Sequence, residues 1–239
     1  MIYDDGPEFW LQASMGKIWG SWPENSSFDD AVAYLLGPVM GLMLLLRGTV
    51  CLHASAIVIK SRAVLFLGDA GAGKSTTAAA LAQRGHALLA DDIVSILERE
   101  GEFMATPAVP HVSLWPESPA MIRGTAADSK SASSPLKQRL SPSNFQCDPT
   151  RIRAIFVFGE RVSSRDAPRV EKMNAREQLL ALVANSYGVS LLDPARRGRD
   201  FRLFGEMVQK VPILRLIPHG DPLLLDRLCA VIEEKSKTD

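Results

Sequence analysis

Cysteine is scarce in this chain: three residues, Cys51, Cys147 and Cys229, lie far apart and none falls in a C-x-x-C pair. So sparse a set excludes a disulfide framework and the usual zinc sites. It suits a reducing compartment, so a cytoplasmic placement is expected. Net charge is lacking too, with 27 basic residues against 27 acidic ones. Nothing global attracts nucleic acid or an anionic membrane, and neither is expected as a partner. No apolar run reaches membrane-spanning length. Ala31 to Leu46 is uncharged, but it is short, is interrupted at Gly37-Pro38 and stops at Arg47. A buried helix pair opened by Asp29-Asp30 is expected instead. The N-terminus shows no basic stretch followed by an apolar one, so no secretory signal is expected, and no internal repeat is visible. What is present is ordinary for a globular protein with a sizeable core. Of 239 residues, 46% are hydrophobic and 23% charged, enough for one large domain or a domain with a small appendage.

The most specific pattern is Gly68-Asp69-Ala70-Gly71-Ala72-Gly73-Lys74-Ser75, which fits G-x-x-x-x-G-K-[ST]. It follows Ala63 to Leu67, an apolar run that reads as a buried strand, and precedes Thr76 to Gln83, which has the composition of a helix. Strand, loop and helix in that order predict a phosphate-binding loop. The small residues let the backbone wrap a phosphate closely, and the amides at the helix start, Thr76 included, point at the anion. Lys74 can reach the β- and γ-phosphates, and the Ser75 hydroxyl can ligate Mg²⁺. Beyond the helix, Ala87 to Ala90 reads as a strand ending in Asp91-Asp92. Ligands of open α/β sheets bind at the carboxyl ends of strands, and adjacent strand residues point to opposite sides. One carboxylate is therefore expected to hold Mg²⁺ directly or through water, the other to accept the proton of an incoming hydroxyl. A turn pair capping the next element is the plain alternative.

Residues 1–48 read as a cap packed on a domain over 49–239. Tyr3, Trp10, Trp19 and Trp22, with polar residues between them, suggest a small β-rich unit ahead of the helical segment. Val50 to Ile59 reads as one strand. The Lys60-Ser61-Arg62 connection is so short that it must join Ala63 to Leu67 antiparallel, which departs from the ordinary P-loop arrangement. Ile93 to Leu97 and Phe103 to Thr106 read as further strands. From about 124 to 150 the chain is rich in Ser and Pro without periodicity, and a mobile loop is expected there. Strand Arg153 to Phe158, a helix capped by Asn174, a helix over Asp200 to Lys210, strand Val211 to Ile217 and an amphipathic helix from Asp221-Pro222 to about Glu234 follow. Between Arg151 and Arg215 the chain is Arg-rich, including Arg196, Arg197 and Arg199; this is either a solvated face or a docking surface for an acidic peptide or phosphate.

Three segments taken together carry a resemblance. Leu52-His53-Ala54, the loop Gly68 to Ser75, and Arg84-Gly85-His86-Ala87-Leu88-Leu89-Ala90-Asp91-Asp92 resemble the catalytic domain of HPr kinase/phosphorylase. In that family a His-containing strand precedes the P-loop and an R-G-H-x-L-[IV]-A-D-D run follows its helix. The resemblance covers residues about 50 to 100. It implies an α/β P-loop kinase fold of the HPr kinase / phosphoenolpyruvate carboxykinase type, a mixed β-sheet with flanking helices. It also implies transfer of a phosphoryl group from ATP, with Mg²⁺, to a serine of a protein. Carried over, Asp91 is the catalytic base, Lys74 acts on the transferring phosphate, Ser75 and Asp92 lie on the metal side, and His53 neighbours the reacting phosphoryl group. Of the bifunctional enzymes' R-G-x-G-[IL] signature, Arg123-Gly124-Thr125-Ala126 echoes only the start, so the reverse reaction is not expected.

The layout is similar to the short HPr-kinase-like serine kinases of lasso-peptide biosynthesis. Pro107 to Arg123, with Leu114-Trp115-Pro116-Glu117-Ser118, and Val211 to Leu216 carry that similarity. It implies a peptide acceptor, with Glu117, Arg123, Lys130, Lys137 and Arg139 as contacts to substrate or phosphate. Three functional readings follow: a kinase for serine on a peptide or protein, a small-metabolite kinase, and a nucleotide-dependent module that binds a precursor peptide without modifying it. Intact Asp91-Asp92 and His53 favour the first. The oligomeric state is open, a homo-oligomer included.

Overall fold

The computed structural model describes residues 1–4, 6–24, 28–114, 138–140 and 143–237. The chain opens with a hairpin of β1 (Glu8–Gln12) and β2 (Lys17–Ser21), paired antiparallel with Trp10 opposite Trp19. Helix α1 (Phe28–Tyr34) leads through a break at Gly37-Pro38 into α2 (Met40–Leu46). Gly37 leaves helical geometry there, and the proline that follows cannot donate to the preceding turn. The β-rich unit and the broken apolar helix are thus both present.

The body of the protein then runs β3 (Val50–Leu52), β4 (Ala54–Ile59), β5 (Arg62–Leu67), α3 (Lys74–Gln83), β6 (Ala87–Ala90), β7 (Val94–Arg99) and β8 (Glu102–Ala105). A separate ribbon pairs β9 (Val112–Leu114) with β10 (Gln138–Leu140). Then come β11 (Thr150–Phe158), β12 (Arg169–Lys172), α4 (Ala175–Ala184), α5 (Pro194–Lys210), β13 (Ile213–Ile217) and α6 (Leu225–Lys235). The main sheet has the order β3-β7-β8-β11-β5-β4-β6, with β13 on β11 and β12 on β13. It is mixed: β5, β11 and β13 are parallel, whereas β4 is antiparallel to both β5 and β6. The β4–β5 turn places Lys60 and Ser61 at φ 48° and 60°, the paired left-handed geometry of a two-residue hairpin.

Alternation along β5 builds two cores. Ala63, Leu65 and Leu67 face one with Leu182, Phe204 and Met207 of α4 and α5; Val64 and Phe66 face the other with Ala78, Leu81, Leu228 and Ile232 of α3 and α6. Helices therefore cover both faces of a strand that is apolar at every buried position, as a central strand of an α/β sheet requires. The expected α/β architecture, a mixed sheet flanked by helices, is the one observed. Cys51 and Cys229 are buried core thiols, and burial pushes both up to about 12.

Several expected boundaries move. Val50 to Ile59 is two strands, because the chain changes partners at His53: β3 pairs with β7, and β4 pairs with β5 and β6. An unbroken apolar run conceals such a switch. The helix expected from Asp200 starts at Pro194, with the Asp193 side chain accepting from the Arg196 N–H as its cap. Arg196, Arg197 and Arg199 thus occupy the helix's first turns. Strand β11 begins at Thr150 rather than Arg153, and β13 begins at Ile213, after Pro212. Farther along, part of the Arg-rich region is neutralised locally: Arg151 meets Glu102 at 2.7 Å and Arg215 meets Glu177 at 3.2 Å.

Candidate phosphate-binding and phosphoryl-transfer site

The loop between β5 and α3 is built on backbone that side chains would obstruct. Gly68 sits at φ 144°, and a Cβ there would come within 3.0 Å of Phe158. Gly73, at φ 111°, turns the chain into the first residue of α3, Lys74. The amides at this helix start then converge, which is the geometry that receives an anion. Lys74 is buried, and its Nζ donates to the carbonyls of Gly68 at 2.7 Å and Asp69 at 3.2 Å. A buried ammonium needs such acceptors, and these hold it over the loop. The Gly68 N–H donates to the Asn185 side-chain oxygen at 3.0 Å, while the Asn185 backbone carbonyl accepts from the His53 N–H at 2.7 Å. One residue at the end of α4 therefore ties the start of the P-loop to the strand break at His53.

The acidic pair closes the adjoining side. Strand β6 ends at Ala90, and Asp92 adopts φ 64°, left-handed geometry that Asp tolerates better than most residues. The two carboxylates separate, but not by strand alternation, since both residues lie past the end of β6. Asp91 accepts from the Ser55 hydroxyl at 2.5 Å, whereas Asp92 lines the cavity over the P-loop together with His53. His53 Nδ1 lies 3.0 Å from the Asp92 carbonyl oxygen, which can only accept, so the neutral ring carries its proton on Nδ1 and presents Nε2 as an acceptor.

The cavity measures about 410 Å³, a small-molecule size. Its far wall comes from the carboxyl ends of β11 and β13: Phe158, Arg161, and the segment Pro218 to Leu228. Arg161 donates to the P-loop carbonyls of Gly71 and Ala72 at 3.2 and 3.3 Å. Ser75 and Asp92 line the same cavity. Oxygen ligands of this kind suit Mg²⁺, which keeps several waters and draws its other ligands from substrate phosphates. Among the described residues no cluster of three or more His, Cys, Asp or Glu forms an all-protein metal cage.

The Arg84-Gly85-His86 run has a structural duty. Arg84 Nε and Nη2 donate to the two Glu233 carboxylate oxygens at 2.9 and 2.8 Å, and His86 Nε2 lies 3.0 Å from the same group. The end of α3 is thereby pinned to α6. The Arg84 bond, chiefly, holds the Glu233 carboxyl at about 2.

Lys74, Ser75, Asp92 and His53 are thus brought together around one cavity, whereas Asp91, bonded to Ser55, is not among the residues that line it. Gly71, Ala72, Gly73, Ala70 and Thr76 line the cavity; Gly68 and Asp69 underlie Lys74. Glu117, Arg123, Lys130 and Lys137 lie outside the described residues, and Arg139 is placed only by its backbone, opposite Ser113 in the β9–β10 ribbon. Sequence reasoning missed Asn185, Ser55, Arg161 and the 218–228 wall. Arg161 carried a usable signal: like Asp91-Asp92, it follows the carboxyl end of a strand.

Residues 46–113 match the family model described as HPr Serine kinase C-terminal domain. The HPr kinase/phosphorylase of Lactobacillus delbrueckii subsp. bulgaricus is 38% identical over 77 residues, 31% of this chain and 24% of the relative. That of Lacticaseibacillus casei is 40% identical over 62 residues, 26% and 19%. The match thus spans about a quarter or less of these relatives. A solved structure, the Hpr(Ser) kinase/phosphatase from Coxiella burnetii, aligns with TM-score 0.43 and 14% identity over 77% of this chain and 89% of that one.

Proposed function

From the premise that the chain is HPr-kinase-like, on the match over residues 46–113, we propose an ATP- and Mg²⁺-dependent kinase that phosphorylates a serine hydroxyl of a peptide or protein. One observation carries this reading: the P-loop, Lys74, His53 and Asp92 share a single cavity. Amides from Gly71 to Thr76 hold the phosphates, and Lys74 exchanges its loop carbonyls for phosphate oxygens. Ser75 and Asp92 would hold Mg²⁺, which would supply positive charge against the phosphates. Asp91, oriented by Ser55, takes the serine proton as the serine oxygen bonds to phosphorus. The bond from phosphorus to the β–γ bridging oxygen breaks, and the nucleoside diphosphate leaves with that electron pair. His53 stands beside the transferring group with Nε2 as acceptor.

For the acceptor we propose a lasso-peptide precursor, on the similarity of Pro107 to Arg123 and Val211 to Leu216; Glu117, Arg123, Lys137 and Arg139 would contact substrate or phosphate. ADP release measured with a serine peptide, its alanine counterpart and no peptide tests the reading. Serine-dependent turnover that falls about 10²–10⁴-fold in Asp91→Asn is expected. Release indifferent to peptide would assign a small-molecule acceptor, and nucleotide binding without release a binding module.

A further inference from the structure

Three of the chain's four tryptophans lie within its first 22 residues, and the β1–β2 hairpin leaves two of them outside. Register sets Trp10 directly opposite Trp19, and alternation puts Glu8 and Lys17 on the same face, at its two ends. Phe9, on the other face, is buried, and a Cβ at Gly20 would come within 2.9 Å of its ring. Trp10 and Trp19 are 53% and 50% exposed, and Trp22 and Phe28 form a second exposed pair with ring centroids 5.7 Å apart. Exposed aromatic surface gathered in this way marks an interaction site. Its charge is of one sign. Residues 1–30 hold Asp4, Asp5, Glu8, Glu24, Asp29 and Asp30 against Lys17 alone, in a chain whose net charge is zero. Asp4 and Glu24 are exposed, and their segments meet at the open end of the hairpin, where Gly6 abuts Pro23.

The inner face of the hairpin leads toward the cleft. Tyr3 meets Phe9 edge-on at 6.3 Å and lies against Tyr34 of α1 with ring centroids 4.0 Å apart. In α2, Gly41 abuts Tyr187 and Ile93, the residue after Asp92; a Cβ there would sit 2.5 and 2.8 Å from their side chains. Burial, chiefly, and then the neighbouring Tyr3, Cys51 and Asp92 push the Tyr187 phenol up, so this ring joins the cap to the acidic corner of the site. We propose that Trp10 and Trp19, with the carboxylates of Glu8, Asp4 and Glu24, dock an arginine- or lysine-bearing segment of the peptide acceptor at a distance from its reacting serine; the proposal rests on the kinase reading above. An indole face attracts a guanidinium or ammonium group, and the aliphatic stem behind that group covers the ring. The carboxylates supply the complementary charge. A segment held there brings its serine to the cavity from the Asp92 side.

The test uses two synthetic peptides that share one serine and a glycine linker; one carries an arginine block and the other glutamines in its place. Calorimetry reads binding without ATP, and ADP release reads KM and kcat. Wild type is compared with Trp10→Ala/Trp19→Ala and with the charge reversal Asp4→Lys/Glu24→Lys, and thermal unfolding checks each fold. The reversal leaves both rings in place, so the test holds even where the alanines disturb the hairpin. Wild type should bind the arginine peptide about tenfold more tightly than the glutamine peptide, with the gap narrowing at high salt. Each variant should raise KM for the arginine peptide about tenfold and leave kcat and the KM for ATP within about twofold. If wild type binds the two peptides equally, or both variants keep the gap, the proposal is overturned and the kinase reading stands. If the variants weaken both peptides alike, the face selects no charge and the proposal is overturned. If wild type self-associates in sedimentation and the variants do not, the face belongs to a second copy of this chain and the proposal is again overturned. Arginine-dependent binding that both variants lose, with no phosphoryl transfer by wild type, would uphold the docking face and defeat the kinase reading.

Discussion

Where β4 and β6 end, the cleft is polar: His53 is bonded to the carbonyls of Asp92 and Asn185, and Asp91, next to Asp92, is bonded to Ser55. Where β11 and β13 end, it is mainly apolar, and its parts come from Phe158 to Arg161 and from Pro218 to Leu228, brought together only by the parallel pairing of the two strands. On the proposed kinase reading, the contrast matches what the polar side would have to do. A side that moves protons and stabilises developing charge needs preorganised dipoles and carboxylates in fixed geometry. Between the two lies the P-loop, clamped at one end by Asn185 and at the other by Arg161.

Substitutions can break this division of labour, and the largest effect falls on the loop between the sides. Lys74→Ala should lower turnover by about 10²–10³-fold while the far-UV circular dichroism spectrum is unchanged; loss of fold instead would make Lys74 a structural residue. Asn185→Ala comes next. It strips the Gly68 N–H of its acceptor and should cost about 1–3 kcal/mol in urea unfolding, with a parallel loss of nucleotide affinity. A stability loss with affinity intact would detach Asn185 from the site.

The clasp behind the β11–β13 wall has a pH signature. The Glu233 carboxyl is held at about 2 against an ordinary 4.5, chiefly by Arg84. A depressed carboxylate stabilises fully above its unfolded value and loses that contribution as pH falls from about 4.5 toward 2. Glu233→Gln should therefore be about 1 kcal/mol less stable at neutral pH and show a flatter decline over that interval; identical acid profiles would refute the clasp. Smallest of all, Arg161→Ala should raise KM for ATP a few-fold and leave kcat nearly unchanged, because the exposed side chain donates to loop carbonyls. A larger fall in kcat would move Arg161 to the transferring phosphate.

How much of this was legible in the sequence follows the same contrast. The P-loop and Asp91-Asp92 carry side-chain types tied to a chemistry at a short spacing, so the sequence marks them directly, whereas His53 was singled out only through the family resemblance. The hairpin turn at Lys60-Ser61, the break at Gly37-Pro38 and the Asn174 helix cap were equally local. Asn185 gave no such signal. Its function comes from a contact with Gly68 that spans 117 positions, and an asparagine at a helix end reads as an ordinary terminator. The division at His53 was hidden because both halves of Val50 to Ile59 are apolar and differ only in their partners. The Pro218 to Leu228 wall read as the start of an amphipathic helix, since nothing local says that its leucines face a cavity.

The most direct test of the account is intact-mass spectrometry of a serine-containing peptide incubated with the protein and Mg²⁺-ATP, with Asp91→Asn alongside. The account predicts one added phosphoryl group with wild type, none with Asp91→Asn, and none on a peptide whose serine is replaced by alanine. Phosphorylation that persists unchanged in Asp91→Asn, or an alanine peptide modified as readily as the serine one, would contradict it.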